Sequence, residues 1–346
     1  MIPRTPPFCQ TKISPPLQTD GGLSHWQTSL AKAFREPAEL LTYLELPTSL
    51  LNEAHAASKN FPLRVPLAYC QRIEKGNQND PLLRQILPLG AELNDDKEFS
   101  LDPVGDLEAM EVPGLLHKYH GRVLLITTPA CAVHCRYCFR RHFPYQDNRI
   151  EQNWQEAIDY IQTHTEIHEV ILSGGDPLSL TESRLKNLTD NLLNIKHINT
   201  LRIHTRLPIV LPERVNPDLL SWLDSLPWQV VFVLHCNHAN EIDSAVANAL
   251  DLLHQHQVTL LNQSVLLAGV NDTAEALINL SDKLFAHHVL PYYLHLLDKV
   301  QGAQHFNVEA EKASRLIATI RQSLPGYLVP KLVTERAGEK SKTMLF

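Results

Sequence analysis

The sequence predicts an α/β protein: a partial parallel (βα)6 barrel, preceded by an N-terminal helical extension and followed by a short C-terminal segment. Three observations carry that expectation. From about residue 120, short runs rich in Leu, Val and Ile alternate with amphipathic stretches. The runs start at residues 122, 169, 200, 229, 258 and 290, and each gap holds one βα unit. Chemically unusual residues fall at the carboxyl ends of these runs, where parallel βα folds place their chemistry.

Residues 1–23 are rich in Pro, Thr and Gly and read as an irregular arm. From Leu23 to Leu44 the apolar residues keep helical spacing, and Pro37 divides that stretch into two helices. Further helical pieces are expected at about 48–58 and 81–87, whereas Leu63-Arg-Val-Pro-Leu67 is too broken by proline. No catalytic pattern stands out here, so residues 1–111 read as an arm and helical cap. The expected strands are Arg122–Thr128, Glu169–Ser173, Thr200–Thr205, Gln229–His235, Val258–Val265 and Leu290–Leu296. Helical patterns lie between them, among them Trp154–Thr163, Glu182–Leu193 and Ala245–His256. The barrel core is expected over 112–300, with a C-terminal helix and tail over 301–346.

A net charge of −7 argues against a nucleic-acid binder, whose affinity comes largely from a basic surface. The amino terminus lacks the apolar core of a signal peptide, and no run of about 18 apolar residues is present to span a membrane. Cys9, Cys70 and Cys236 are scattered and read as plain thiols, which suits a reducing, cytoplasmic setting.

The remaining cysteines are not scattered. Cys131-Ala-Val-His-Cys135-Arg-Tyr-Cys138 follows the first expected strand. A [4Fe–4S] cluster that only stores electrons takes four cysteines, so three in one loop leave one iron open to a non-protein ligand. His134 could instead complete a zinc tetrahedron, but no second CxxC or CxxxH elsewhere in the chain supports that reading. The C-x3-C-x2-C spacing resembles the radical S-adenosylmethionine (SAM) superfamily, in which SAM chelates the open iron. Gly174, Gly175 and Asp176 follow the second strand and match that superfamily's turn for the amino group of SAM. Neither GxGxxG nor a P-loop is present.

A narrower resemblance rests on separated motifs in order: Cys138-Phe-Arg140-Arg141-His-Phe, Ser173-Gly-Gly-Asp-Pro-Leu, and Thr205-Arg-Leu-Pro-Ile-Val-Leu-Pro-Glu-Arg214. Leu261-Asn-Gln-Ser-Val-Leu-Leu-Ala-Gly-Val-Asn-Asp272 and Pro291-Tyr-Tyr-Leu-His-Leu-Leu-Asp298 continue the series. Together they resemble the lysine 2,3-aminomutase family from about residue 112 to the end. The resemblance implies pyridoxal 5′-phosphate (PLP) on a lysine near the carboxyl end; Lys342 aligns there, with Lys340 as competitor. It further implies that Lys118, Tyr119 and Arg122 contact the PLP phosphate, Lys118 standing where arginine is usual. Arg140 would bind the substrate carboxylate, and Asp298 and Glu335 the ε-ammonium of lysine. Gln263 and Asn262 would face the lumen toward SAM, with His235 beside SAM or substrate.

The activity implied is isomerisation of L-α-lysine to β-lysine, driven by electrons from a flavodoxin- or ferredoxin-type donor. Gly76-Asn-Gln-Asn-Asp-Pro-Leu-Leu-Arg84, Val112-Pro-Gly-Leu-Leu-His-Lys-Tyr-His120 and a chain that stops soon after Lys342 resemble one branch of the family. That branch supplies (R)-β-lysine for modifying elongation factor P, in concert with its lysyl-transferring enzyme. Thr273 stands where free-lysine enzymes carry a zinc-ligand cysteine, so their inter-subunit zinc site is expected to be absent. The rivals are a free-lysine aminomutase and a non-catalytic iron–sulfur scaffold.

Overall fold

A computed structural model describes residues 24–94, 96–148 and 150–345. The expected arm and Cys9 lie outside the described residues. One sheet holds ten strands in chain order: β1 (Met110–Val112), β2 (Leu115–Tyr119), β3 (Arg122–Thr128), β4 (Glu169–Gly174), β5 (Thr200–Thr205), β6 (Gln229–Leu234), β7 (Thr259–Val265), β8 (Val289–His295), β9 (Lys331–Thr334) and β10 (Thr343–Met344). The strands from β3 to β9 run parallel, while β1 and β2 enter and β10 leaves as antiparallel neighbours.

The six strands read from the sequence are β3 to β8. A seventh parallel strand, β9, extends the sheet beyond these six βα units. Its four residues are too few to show a period, and pairing with β8 rather than intrinsic propensity makes it a strand. The sheet thus reaches past both expected boundaries, with β1 ahead of residue 112 and β9 and β10 beyond residue 300.

Lys118 of β2 and Glu335, just after β9, belong to nearly opposite ends of the sheet, yet Nζ lies 3.0 Å from Oε1. The sheet is therefore curled into an open barrel whose seam is bridged by side chains. Period-two alternation sorts the strand residues. In β5, Leu201 and Ile203 are fully buried outward under the helices, while Arg202 and His204 face the lumen. In β8, Leu294 packs with Ile317 of the outer helix Ala310–Ile320, so Tyr293 and His295 face inward.

Outer helices bury one stripe each. Glu182–Leu192 buries Leu185, Leu188 and Leu192, each contributing roughly 1.5–3 kcal/mol. Asn216, Asp243 and Thr273 cap their helices by accepting from Leu219, Val246 and Ala276 backbone N–H groups. The helical extension packs into the same apolar core as the barrel. Pro37 starts its second helix, and Trp26 lies under the Arg214 guanidinium, 4.6 Å from carbon to ring centroid. No helix among the described residues is long and apolar enough to cross a membrane.

Candidate active site

The cysteine loop leaves β3 and rests on the turn that ends β4. Gly175 N–H donates to Thr128 O at 2.6 Å and Asp176 N–H to Ala130 O at 2.7 Å. A Cβ on Gly175 would stand 2.4 Å from the Ala130 carbonyl oxygen, and Gly174 has φ +118° with a virtual Cβ 2.8 Å from Thr128 O. Both glycines are demanded by this close approach. The Asp176 carboxylate is taken up inside the protein, accepting from Thr205 Oγ1 and Arg206 N at 2.7 Å, Leu178 N at 3.0 Å and Leu207 N at 3.1 Å. Its side chain thus pins β4 to β5.

Burial pushes the Cys131 and Cys138 thiols up, the latter to about 11, and their neighbouring cysteines add to it. Three thiolates in one buried loop need a cationic partner. His134 does not help form a zinc site: its Nδ1 lies 2.8 Å from Pro62 O and its ring stacks on Phe61. Among the described residues no three His, Cys, Asp or Glu side chains converge on a single ion. A cluster in which each cysteine takes its own iron fits this donor set.

Behind the loop lies a buried polar network missed by the sequence reading. Arg206 follows β5 and donates from Nη1 to Cys135 Sγ and Tyr137 Oη, both at 2.8 Å. Its Nη2 reaches Gln85 Oε1 at 2.7 Å and Glu241 Oε2 at 2.8 Å. Tyr137 Oη lies 2.8 Å from His235 Nε2, and burial together with Arg206 brings that imidazole down to about 3. Glu92 of the extension holds Arg136 at 2.5 Å and Arg141 at 2.8 Å, clamping the loop from the other side. The helical cap therefore builds the site.

The remaining expected residues form a ladder of alternating charge. Arg140 Nε is 2.6 Å from Asp106 Oδ2, and Lys118 Nζ is 2.7 Å from Asp106 Oδ1. Lys118 continues to Glu335, whose Oε2 lies 2.6 Å from Lys342 Nζ. The Arg122 guanidinium lies over the Tyr119 ring at 4.8 Å, and burial together with the nearby Glu335 charge pushes that phenol up. Burial would raise the Glu335 carboxyl, but Lys342 and Lys118 outweigh it and hold it down at about 2. Asp298 has no such partner: burial and the Glu335 charge push it up to about 7. Lys340 is exposed, whereas Lys342 points at this cluster with its side chain 17% exposed.

Residues 125–280 match the family model of the radical SAM superfamily. Over 321 residues the chain is 49% identical to the L-lysine 2,3-aminomutase of Haemophilus influenzae, covering 92% of this chain and 95% of that protein. The Escherichia coli K12 L-lysine 2,3-aminomutase is 48% identical over 322 residues (92% and 94%), and that of Clostridium subterminale 34% over 327 residues (94% and 78%). The chain belongs to the L-lysine 2,3-aminomutase family. It is thereby a radical SAM isomerase. A radical SAM domain takes a [4Fe–4S] cluster and SAM, and lysine 2,3-aminomutases use PLP as well.

Within this aminomutase the two polar residues of β7 part company. Asn262 accepts from Cys236 N at 2.9 Å and donates to Cys236 O at 3.0 Å on the outer side of the strand. The expectation that it faces the lumen is corrected, because adjacent strand residues point to opposite faces. Gln263 is the lumen-facing residue. Asp106, Glu241, Gln85 and His204 lie in none of the motifs, and Arg206 and His295 lie inside motifs without a role of their own, although Arg206 and Glu241 close strands or cap turns at the functional rim.

Proposed function

We propose that this chain converts L-α-lysine to (R)-β-lysine by moving the amino group from C2 to C3, with PLP carried on Lys342. The β-lysine then serves the modification of elongation factor P. The single observation that carries the substrate is the pair of carboxylates, Glu335 and Asp298, next to Lys342. With Lys342 committed to the cofactor, Glu335 keeps Lys118 as its cation while Asp298 stands beside it. Two acids crowded together under burial favour an incoming ammonium group. The ε-ammonium of lysine supplies it, and glutamate does not.

At the other end of the ladder, Arg140 uses Nε on Asp106 and Nη1 on Ser173 Oγ at 3.1 Å. Its guanidinium carries further N–H donors for a substrate carboxylate. Arg140 and the acid pair thus fix both ends of one extended amino acid, with Lys118, Tyr119 and Arg122 supplying charge and a phenol for a phosphate. When bound, the cluster with SAM supplies a hydrogen-abstracting carbon radical, and PLP supplies a conjugated ring that stabilises the rearranging substrate. The protein orients C3 and keeps water and stray C–H donors away.

The test is lysine isomerisation by anaerobically reconstituted protein with SAM, PLP and reductant, α- and β-lysine being separated by chromatography. β-Lysine that disappears in Cys135→Ala supports the reading; deoxyadenosine without β-lysine rejects lysine as substrate. The intact mass of elongation factor P from a deletion strain tests the destination: an unchanged mass points to free β-lysine as the product in the cell.

A further inference from the structure

Two imidazoles of the lumen are left without partners. His204 stands on β5 and His295 ends β8, both on inward faces, and His295 is 3% exposed. The Nε2 atom of each is buried and makes no hydrogen bond. His235, by contrast, is satisfied by Tyr137. The Tyr293 ring lies edge-on to His295 with centroids 5.7 Å apart and supplies it no polar atom. Burial holds both imidazoles neutral, and Lys342 is a cationic neighbour of each. His295 also lies within electrostatic reach of His235 and His204.

Buried polar nitrogens left unpaired are costly, and native interiors rarely keep them unless a ligand or water completes them. We propose that His204 and His295 are positioning residues that hydrogen-bond the polar atoms of the molecule held on Lys342, a pyridoxal-type heteroaromatic bearing a ring nitrogen and a phenolic oxygen. This rests on Lys342 as the cofactor lysine. Neutral imidazoles suit the task because they bind without adding charge to a ladder already rich in cations, and either ring nitrogen can donate or accept.

The experiment titrates PLP into cluster-loaded protein lacking SAM and follows the visible absorbance of bound PLP. His295→Phe keeps the ring and removes the nitrogens; His295→Asn returns a polar group; His204→Ala tests the second imidazole. Expected are a displaced absorbance band and about ten-fold or greater weakening of PLP binding in His295→Phe and His204→Ala, with most of it regained in His295→Asn. Iron content per chain stays at the wild-type value. An unchanged band and affinity in both variants overturns the proposal, as does a loss confined to SAM binding measured separately. Wild-type protein that takes up no PLP overturns the Lys342 assignment and this proposal together, an outcome plainly different from silent variants. Should His295→Phe lose iron or unfold, His204→Ala decides alone.

Discussion

Lys342 and Glu335 face each other across the hairpin of β9 and β10, Nζ to Oε2 at 2.6 Å, because Thr343 pairs with Thr334 immediately beside them. The pairing register, and not sequence proximity alone, turns Lys342 inward while Lys340 stays in solvent. Replacing Lys342 by Ala is expected to abolish the absorbance of protein-bound PLP and lysine isomerisation. Lys340→Ala is expected to leave both within about two-fold. PLP absorbance retained in Lys342→Ala and lost in Lys340→Ala reverses the assignment.

Asp298 makes a prediction about pH whose sign is fixed by its raised carboxyl. Below the ordinary carboxylate range Asp298 is protonated both folded and unfolded, so it costs nothing. As pH rises toward 7 the unfolded carboxyl ionises first, and the folded protein loses stability, by at most about 4 kcal/mol above pH 7. Asp298→Asn removes that loss. The cofactor-free variant is therefore expected to melt higher than wild type at pH 8 and alike at about pH 3. Lysine binding should change the other way, weakening in the variant. Equal melting temperatures at pH 8 would show that the carboxyl is not perturbed.

Glu335 acts in the opposite sense. Its folded carboxyl is held down at about 2 by Lys342 and Lys118, so its stabilisation is complete above pH 4.5 and fades as pH falls toward 2. Glu335→Gln leaves two partly buried ammonium groups with weaker acceptors, and a loss of about 1–3 kcal/mol at pH 7 is expected from denaturant titration. The loss should shrink at pH 3. A pH-independent difference would assign the effect to packing.

The strands from β3 to β8 were legible because each is long enough to show its pattern and each is followed by a helix with its own period. β9 has four residues and borrows its structure from β8. Cys131, Cys135, Cys138, the Gly-Gly turn, Arg140 and Lys342 stand out in the sequence because they sit in compact motifs. Asp106 was not: it lies in the irregular loop Asp102-Pro-Val-Gly-Asp106, and only the curl of the sheet brings Arg140 and Lys118 to it. For Asn262 and Gln263 the period of two says that one faces inward, but the burial of Ser264 and Asn262 under Leu277 and Leu280 decides which. His204 and His295 read as ordinary strand residues until their unpartnered nitrogens are seen in three dimensions.

Asp106 bridges Arg140 and Lys118 at 2.6 and 2.7 Å and is itself buried. Arg140 and Lys118 outweigh its burial and hold its carboxyl below the ordinary range. Asp106→Ala strands two cations in a dry site, and removal of one partner from such a set costs about 3–5 kcal/mol. Asp106→Asn keeps the shape and the acceptor oxygen, so folding should survive at a smaller cost. In that variant the KM for lysine is expected to rise about ten-fold or more, because Arg140 loses the carboxylate that aims it. An unchanged KM in a folded Asp106→Asn protein would mean that Arg140 is held by Ser173 alone.

Gly175→Ala tests whether the turn after β4 supports the cysteine loop. The added Cβ would meet backbone, the Ala130 carbonyl oxygen at 2.4 Å and the Pro129 carbonyl carbon at 2.8 Å, and neither can rotate away as a side chain would. Relief requires the segment before Cys131 to move, and with it the Gly175–Thr128 and Asp176–Ala130 hydrogen bonds that join the two loops. The apolar core on the outer face of the sheet is untouched by that shift. The expected result is a protein that folds, judged by its far-ultraviolet circular dichroism, but holds less than half the wild-type iron after reconstitution. Gly338→Ala is the control, since Gly338 has positive φ but open space around its virtual Cβ. It should load iron normally and lose only about 1 kcal/mol of stability to backbone strain. Full iron loading in Gly175→Ala would show that the cysteine loop keeps its ligand geometry without the turn beneath it.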